Sequence, residues 1–118
     1  MIYAISARDT TFVKFGKANN PTRRLNQLQT SCPYELRIIA CADWPSVEEP
    51  IIHIYLDDFR IRGEWFERSP TVERVIGLLR DGENGYTDWL RIRKSHNSNG
   101  NASGVIRRLG RALQWRTT

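Results

Sequence analysis

The segment FVKFGKANNPTRRLNQLQ, residues 12–29, restricts this chain more than any other stretch. It begins as a strand, and Gly16 ends that strand where backbone must bend or let something approach closely. Asn20 then suits a helix N-cap and Pro21 the first helical position, so a helix is expected to run to about Thr30. Pro21, Leu25 and Leu28 form its inward stripe. Arg23 and Arg24 sit in the first turn, with Arg24 nearer the border of that stripe. A strand therefore feeds a helix that opens on two positive charges.

Upstream, IYAIS and TFVKFG are short runs rich in β-branched and aromatic residues, and ARDT between them reads as a hairpin loop. Symmetric antiparallel pairing places Tyr3 opposite Lys14, with Cβ atoms about 5 Å apart. Taken alone, Tyr3 is an ordinary half-buried strand tyrosine. Beside an ammonium its phenol would ionise more readily, and such a base takes a proton from water.

LRIIACA, residues 36–42, reads as a third strand and, being mostly apolar, a central one. From Ser46 to Phe59 the residues Ile52, Tyr55, Leu56 and Phe59 recur at helical spacing, with Glu49, His53, Asp57 and Arg60 along one edge of that stripe. A carboxylate and an imidazole four apart on such an edge suit a metal. Two structural readings stand beside that one. Ser46 and Glu49 form a capping box, and Glu49 with His53 is an ordinary pair of helix neighbours. Pro50 removes a backbone donor just after the box. IRGEWFE reads as a turn leading into an extended segment. SPTVERVIGLLRDGENG reads as a third helix with a Ser69 cap, a Pro70 start and a Gly82 stop.

Charge is unevenly spread along the 118 residues. Residues 1–90 carry 11 Lys+Arg against 13 Asp+Glu, whereas residues 91–118 carry seven basic and no acidic residues. A second positive pool lies in residues 1–30. Two local positive fields on a near-neutral body point to a polyanionic partner, since phosphate contacts release counterions. The segmentation that follows is a domain over 1–92, a flexible linker over 93–104, and a short basic amphipathic helix over 105–118 carrying Arg107, Arg108 and Arg111. Such a helix also fits a partner groove or a membrane surface. No apolar run approaches the roughly 20 residues a membrane span needs, and MIYAIS lacks a signal core, so no membrane association and a cytoplasmic location are expected. Cys32 and Cys41 fit no metal spacing and read as buried free thiols.

Tyr3 in IYA, Lys14-Phe15-Gly16, NPTRRL with Arg24, Glu49 followed by His53, and GEWF at 63–66 occur in this order over residues 1 to about 68. Together they resemble the GIY-YIG nuclease superfamily, in the small phage and bacterial branch where Lys-x-Gly replaces the second tyrosine motif. That branch is often labelled a DNA-binding domain. The resemblance implies an α+β fold, a small three-stranded antiparallel sheet flanked by helices, here with a basic C-terminal tail. It also implies metal-dependent hydrolysis of DNA phosphodiesters. Carried over by position, Tyr3 is the general base with Lys14 assisting it, Arg24 steadies the scissile phosphate, and Glu49 holds one Mg²⁺ or Mn²⁺. His53 joins the catalytic set. Lys17, Arg23, Arg107, Arg108 and Arg111 are the expected DNA contacts. Gly16 is expected to let the backbone pass close to phosphate, beside the anion-favouring start of the arginine-bearing helix. Met1 stands where the motif has glycine, Phe15 where it has a smaller aliphatic residue, and Pro50 follows the expected metal ligand. The alternative function is a non-catalytic DNA-binding module of the same fold that blocks or represses a site. Oligomeric state stays open, a dimer included.

Overall fold

In the computed structural model, which describes residues 1–96, strands β1 (Ile2–Ala7) and β2 (Phe12–Lys17) form the expected hairpin. Its register differs from the symmetric expectation: Tyr3 faces Gly16, and Lys14 faces Ile5. The turn accounts for the shift. Asp9 adopts a left-handed backbone (φ 63°), and Thr10 closes the loop by donating its Oγ1 hydroxyl to the Ala7 carbonyl at 2.7 Å. A shift of two residues keeps every side chain on its face, so Tyr3 and Lys14 still share one.

The sheet has five antiparallel strands rather than three. Its order is β3-β1-β2-β5-β4, with β3 at Leu36–Ala42, β4 at Arg60–Arg62 and β5 at Trp65–Glu67. Two corrections follow. LRIIACA lies at an edge, and β1 and β2, which bury side chains on either face, lie inside the sheet. The additional strands come from IRGEWFE, which turns at Gly63 (φ 56°) and lays its second arm along β2. Arg80 partly covers the outer edge of β3 by donating from Nε to the Ile39 carbonyl at 2.9 Å.

Helix α1 (Pro21–Gln29) starts as expected, with the Asn20 side chain accepting from the Arg23 amide at 3.1 Å. It has no fully buried residue. Leu25 and Leu28 rest on a small cluster of Tyr3, Ile5, Ala7 and Leu36. The opposite sheet face carries the main core. There Ile2, Ala4, Val13, Phe15 and Phe66 pack against Ile52 and Leu56, and against Val72, Ile76 and Leu79 of α3 (Pro70–Arg80). Ser69 caps α3 by accepting from the Val72 amide at 3.1 Å.

Helix α2 covers only Glu48–Tyr55, and a 3₁₀ turn at Asp57–Phe59 replaces the rest of the expected 46–59 helix. Ser46 and Glu49 do not form a capping box. Val47 holds the N-cap without a side-chain bond, and Ser46 contributes its backbone carbonyl to the Glu49 amide at 3.2 Å. That frees the Glu49 carboxylate for other work. Pro50 is tolerated because it falls in the first turn, where amides lack intrahelical acceptors.

After Gly82 (φ 61°) the chain enters another helix, α4, over residues 82–96, which the sequence reading did not anticipate. Residues 93–96, expected to begin the linker, are helical. The rest of the linker and the 105–118 segment with Arg107, Arg108 and Arg111 lie outside the described residues. Among those described, no helix is long and apolar enough to cross a membrane. Cys32 and Cys41 are free but half-buried rather than buried.

Candidate functional site

Tyr3 is fully buried, on the face that α1 covers. Its ring crosses directly over Gly16: a Cβ there would come within 2.4 Å of the phenol oxygen and 2.5 Å of the adjoining ring carbon. Gly16 is therefore glycine because the tyrosine occupies the space of its side chain. The requirement for glycine at this position therefore has a cause internal to the protein.

The phenol stands among opposing influences. Burial pushes its pKa above the ordinary tyrosine value, Arg24 of α1 pulls it back, and the negative charges of Glu64 and Glu49 push it further up. The net result is upward. A tyrosine primed by Lys14 is thus corrected. The two side chains lie diagonally rather than opposite, and the Lys14 ammonium pairs with the Glu64 carboxylate. With that carboxylate as partner, burying Lys14 is permissible.

His53 and Glu49 sit one turn apart on α2. The imidazole Nε2 lies 2.8 Å from the Phe15 carbonyl, which can only accept, so Nε2 carries the proton. Nδ1 faces Glu49 Oε1 at 3.5 Å, longer than a well-formed N–H···O bond. Both side chains are largely buried. Two electron-rich atoms facing each other this closely call for a positive charge between them, either a second ring proton or a cation.

Glu64 completes the group, as ligand atoms of Glu49, His53 and Glu64 all lie within 4.8 Å of one another. Two donors on opposite sides of one ion, each at about 2.1 Å, stand about 4.2 Å apart. Small side-chain rotations close the difference, so the donor set fits a divalent ion. The framework behind it is well tied. The Phe15 amide donates to the Glu64 carbonyl at 3.1 Å, while the Phe15 carbonyl receives His53. Arg60 links the same two elements from the other side. Its guanidinium donates to the His53 carbonyl at 3.3 Å and to the Gly63 carbonyl, pairs with Asp57 at 2.9 Å, and lies over the Phe66 ring.

Of the residues singled out in the sequence, Tyr3, Lys14, Arg24, Glu49 and His53 gather in this region. Lys17 and Arg23 are exposed beside it in the chain, at the end of β2 and the start of α1. Glu64 was quoted within GEWF but given no role. Its signal was an acidic side chain at a tight turn next to a strand, and only the β2–β5 pairing brings it to Lys14.

A model of the T5orf172 domain family matches residues 1–81, which hold all five strands and α1 to α3, and the chain belongs to that family. No curated protein and no solved structure matches it. Membership is compatible with a nuclease-like or DNA-binding role.

Proposed function

We propose that this T5orf172-domain protein is a small metal-dependent DNA endonuclease of the GIY-YIG type, hydrolysing phosphodiester bonds. The observation that carries the reading is the meeting of Tyr3 from β1, Arg24 from α1 and Glu49 from α2 around one phenol. Glu49 would hold a divalent ion, Mg²⁺ or Mn²⁺, which when bound would supply a Lewis acid and offset the charge that builds on the phosphate. Arg24 pairs with a non-bridging oxygen of the scissile phosphate, where negative charge grows in the transition state. Tyr3, once ionised, takes the proton of the attacking water as the water oxygen bonds to phosphorus. The ester P–O bond breaks, and the departing oxygen is protonated from solvent. Lys14 holds Glu64 in place beside the phenol. Lys17 and Arg23, with Arg107, Arg108 and Arg111 of the tail, bind the DNA backbone without reading bases.

One observation favours the second reading, a DNA-binding module without turnover. Burial and the two acids hold the Tyr3 proton in place, and Lys14 is engaged elsewhere. A single assay separates the readings. Supercoiled plasmid and single-stranded oligonucleotide are incubated with Mg²⁺, Mn²⁺ or EDTA. The endonuclease reading expects metal-dependent cutting by the wild type and none by Glu49→Ala or Tyr3→Phe. A protein that shifts DNA in a gel yet cuts no substrate in either ion would be the binding module. In both cases, removing residues 97–118 takes away four arginines. It is expected to weaken DNA affinity and lower the salt slope by about 0.9 for each lost phosphate contact. An unchanged slope would take the tail out of DNA binding.

A further inference from the structure

Glu49 alone is a poor explanation for the arrangement around it. An ion held by one carboxylate needs neither an imidazole with a fixed tautomer nor a second acid at the same place. Three features make that surplus specific. His53 donates Nε2–H to a backbone carbonyl, the support that orients metal-binding histidines and leaves the other nitrogen as donor. The available Nδ1 faces a carboxylate oxygen at 3.5 Å rather than an N–H group. Glu64 reaches the same point from a different element, held by Lys14 at its carboxylate and by Phe15 at its backbone.

We propose that Glu49, His53 and Glu64 together ligate one ion through an imidazole nitrogen and two carboxylate oxygens, a site that selects a first-row transition ion such as Mn²⁺, Co²⁺ or Zn²⁺ over Mg²⁺. Imidazole is a borderline donor that suits first-row transition ions, and affinity along that row rises with the Irving–Williams order. Mg²⁺ prefers oxygen donors and retains several waters, so His53 adds little to its binding. Glu64 would hold the ion while its carboxylate also pairs with Lys14. This inference deepens the nuclease reading by naming the ion class and two further ligands.

Metal binding tests it without reference to cleavage. The chain has only two histidines, His53 and His96, so their imidazole nitrogens are separately assignable by ¹⁵N NMR. The metal-free wild type is expected to show the Nε2 of His53 protonated, as its bond to the Phe15 carbonyl requires. Zn²⁺ should shift its Nδ1 at one equivalent and leave His96 unmoved. In calorimetric titrations Mn²⁺ and Zn²⁺ should bind more than tenfold tighter than Mg²⁺. His53→Gln should remove that preference, Glu64→Gln should weaken every ion about 10- to 100-fold, a range typical of losing a metal-site group, and His96→Gln should change nothing. Far-ultraviolet circular dichroism shows that each variant is folded. Equal affinities for Mg²⁺ and Mn²⁺, or Zn²⁺ binding unaltered in His53→Gln or Glu64→Gln, would overturn the proposal. The nuclease reading fails separately. A protein that binds Zn²⁺ through all three residues and cuts nothing sinks the nuclease and keeps the site. One that cuts DNA yet binds Mn²⁺ and Zn²⁺ no differently in His53→Gln and Glu64→Gln does the reverse.

Discussion

Glu48 and Glu49 are neighbours in the chain and opposites in what surrounds them. Glu48 is 1% exposed, and its carboxylate is met from every side by α4. Trp89 Nε1 donates to Oε1 at 3.0 Å, the Tyr86 hydroxyl donates to Oε2 at 2.9 Å, and Arg93 Nε stands 3.1 Å from Oε1. Trp44, Tyr55, Tyr86 and Trp89 pack as an aromatic group along that side of α2. Glu49 points to the other side, toward an imidazole nitrogen, another acid and a buried phenol. The first carboxylate has donors for its oxygens and holds two helices together. The second has, among the described residues, no hydrogen bond of comparable geometry, its facing imidazole nitrogen standing at 3.5 Å. A largely buried carboxylate without a full set of donors is costly to keep, and functional sites are often found in such settings.

The largest expected effect breaks the closed side. Glu48→Ala leaves Arg93 without its anion and two aromatic donors without an acceptor, and is expected to lower stability by about 3–5 kcal/mol. Denaturant unfolding followed by tryptophan fluorescence measures it. Glu49→Ala should change stability by less than about 1 kcal/mol, because no hydrogen bond depends on it. If the two variants were equally destabilised, the division between them would be wrong.

Gly16→Ala is expected to cost about 1–3 kcal/mol by driving a methyl into the Tyr3 ring. Tyr3→Phe should not rescue it, as the ring carbon is itself 2.5 Å from the added atom, whereas Tyr3→Ala should recover part of the loss. Rescue by Phe would mean that the hydroxyl alone sets the clash.

A smaller effect appears in alkaline titration. Tyr3 should ionise above the ordinary tyrosine value in the metal-free protein. Glu64→Gln should bring it down and Arg24→Ala should raise it, as read by difference absorbance of the phenolate against a Tyr3→Phe reference. The folded state holds this proton more firmly than the unfolded chain does. Stability is therefore unaffected below about pH 10 and falls as pH rises beyond it. Tyr86, raised by burial and by its bond to Glu48, acts in the same direction. A Tyr3 that ionised below the ordinary value would restore Lys14 to the priming role read from the sequence.

Much of the site was legible because it depends on local rules. The Asn20 cap and Pro21 fixed where α1 begins and hence where Arg24 sits, and the helical spacing of Ile52 and Leu56 put Glu49 and His53 on one edge. What was missed depends on pairing over distance. The hairpin register turned on one left-handed residue, Asp9, in a loop that symmetry does not predict. β4 and β5 are three residues each, too short for a periodic signal, and they carry Glu64 to Lys14. Ser46 and Glu49 had the spacing of a capping box, but the helix starts one residue later than that motif needs. α4 begins on one glycine and contains another, so its sequence reads as a stop. Burial of Trp89 and the contacts to Glu48 hold it in place.

The most direct test places Glu49→Gln beside wild type in one plasmid-relaxation assay with Mn²⁺, both proteins first shown to unfold at the same denaturant midpoint. The account predicts relaxed and linear DNA from the wild type and unchanged supercoils from the variant. Equal cutting by the two would show that the open carboxylate is not where the chemistry occurs.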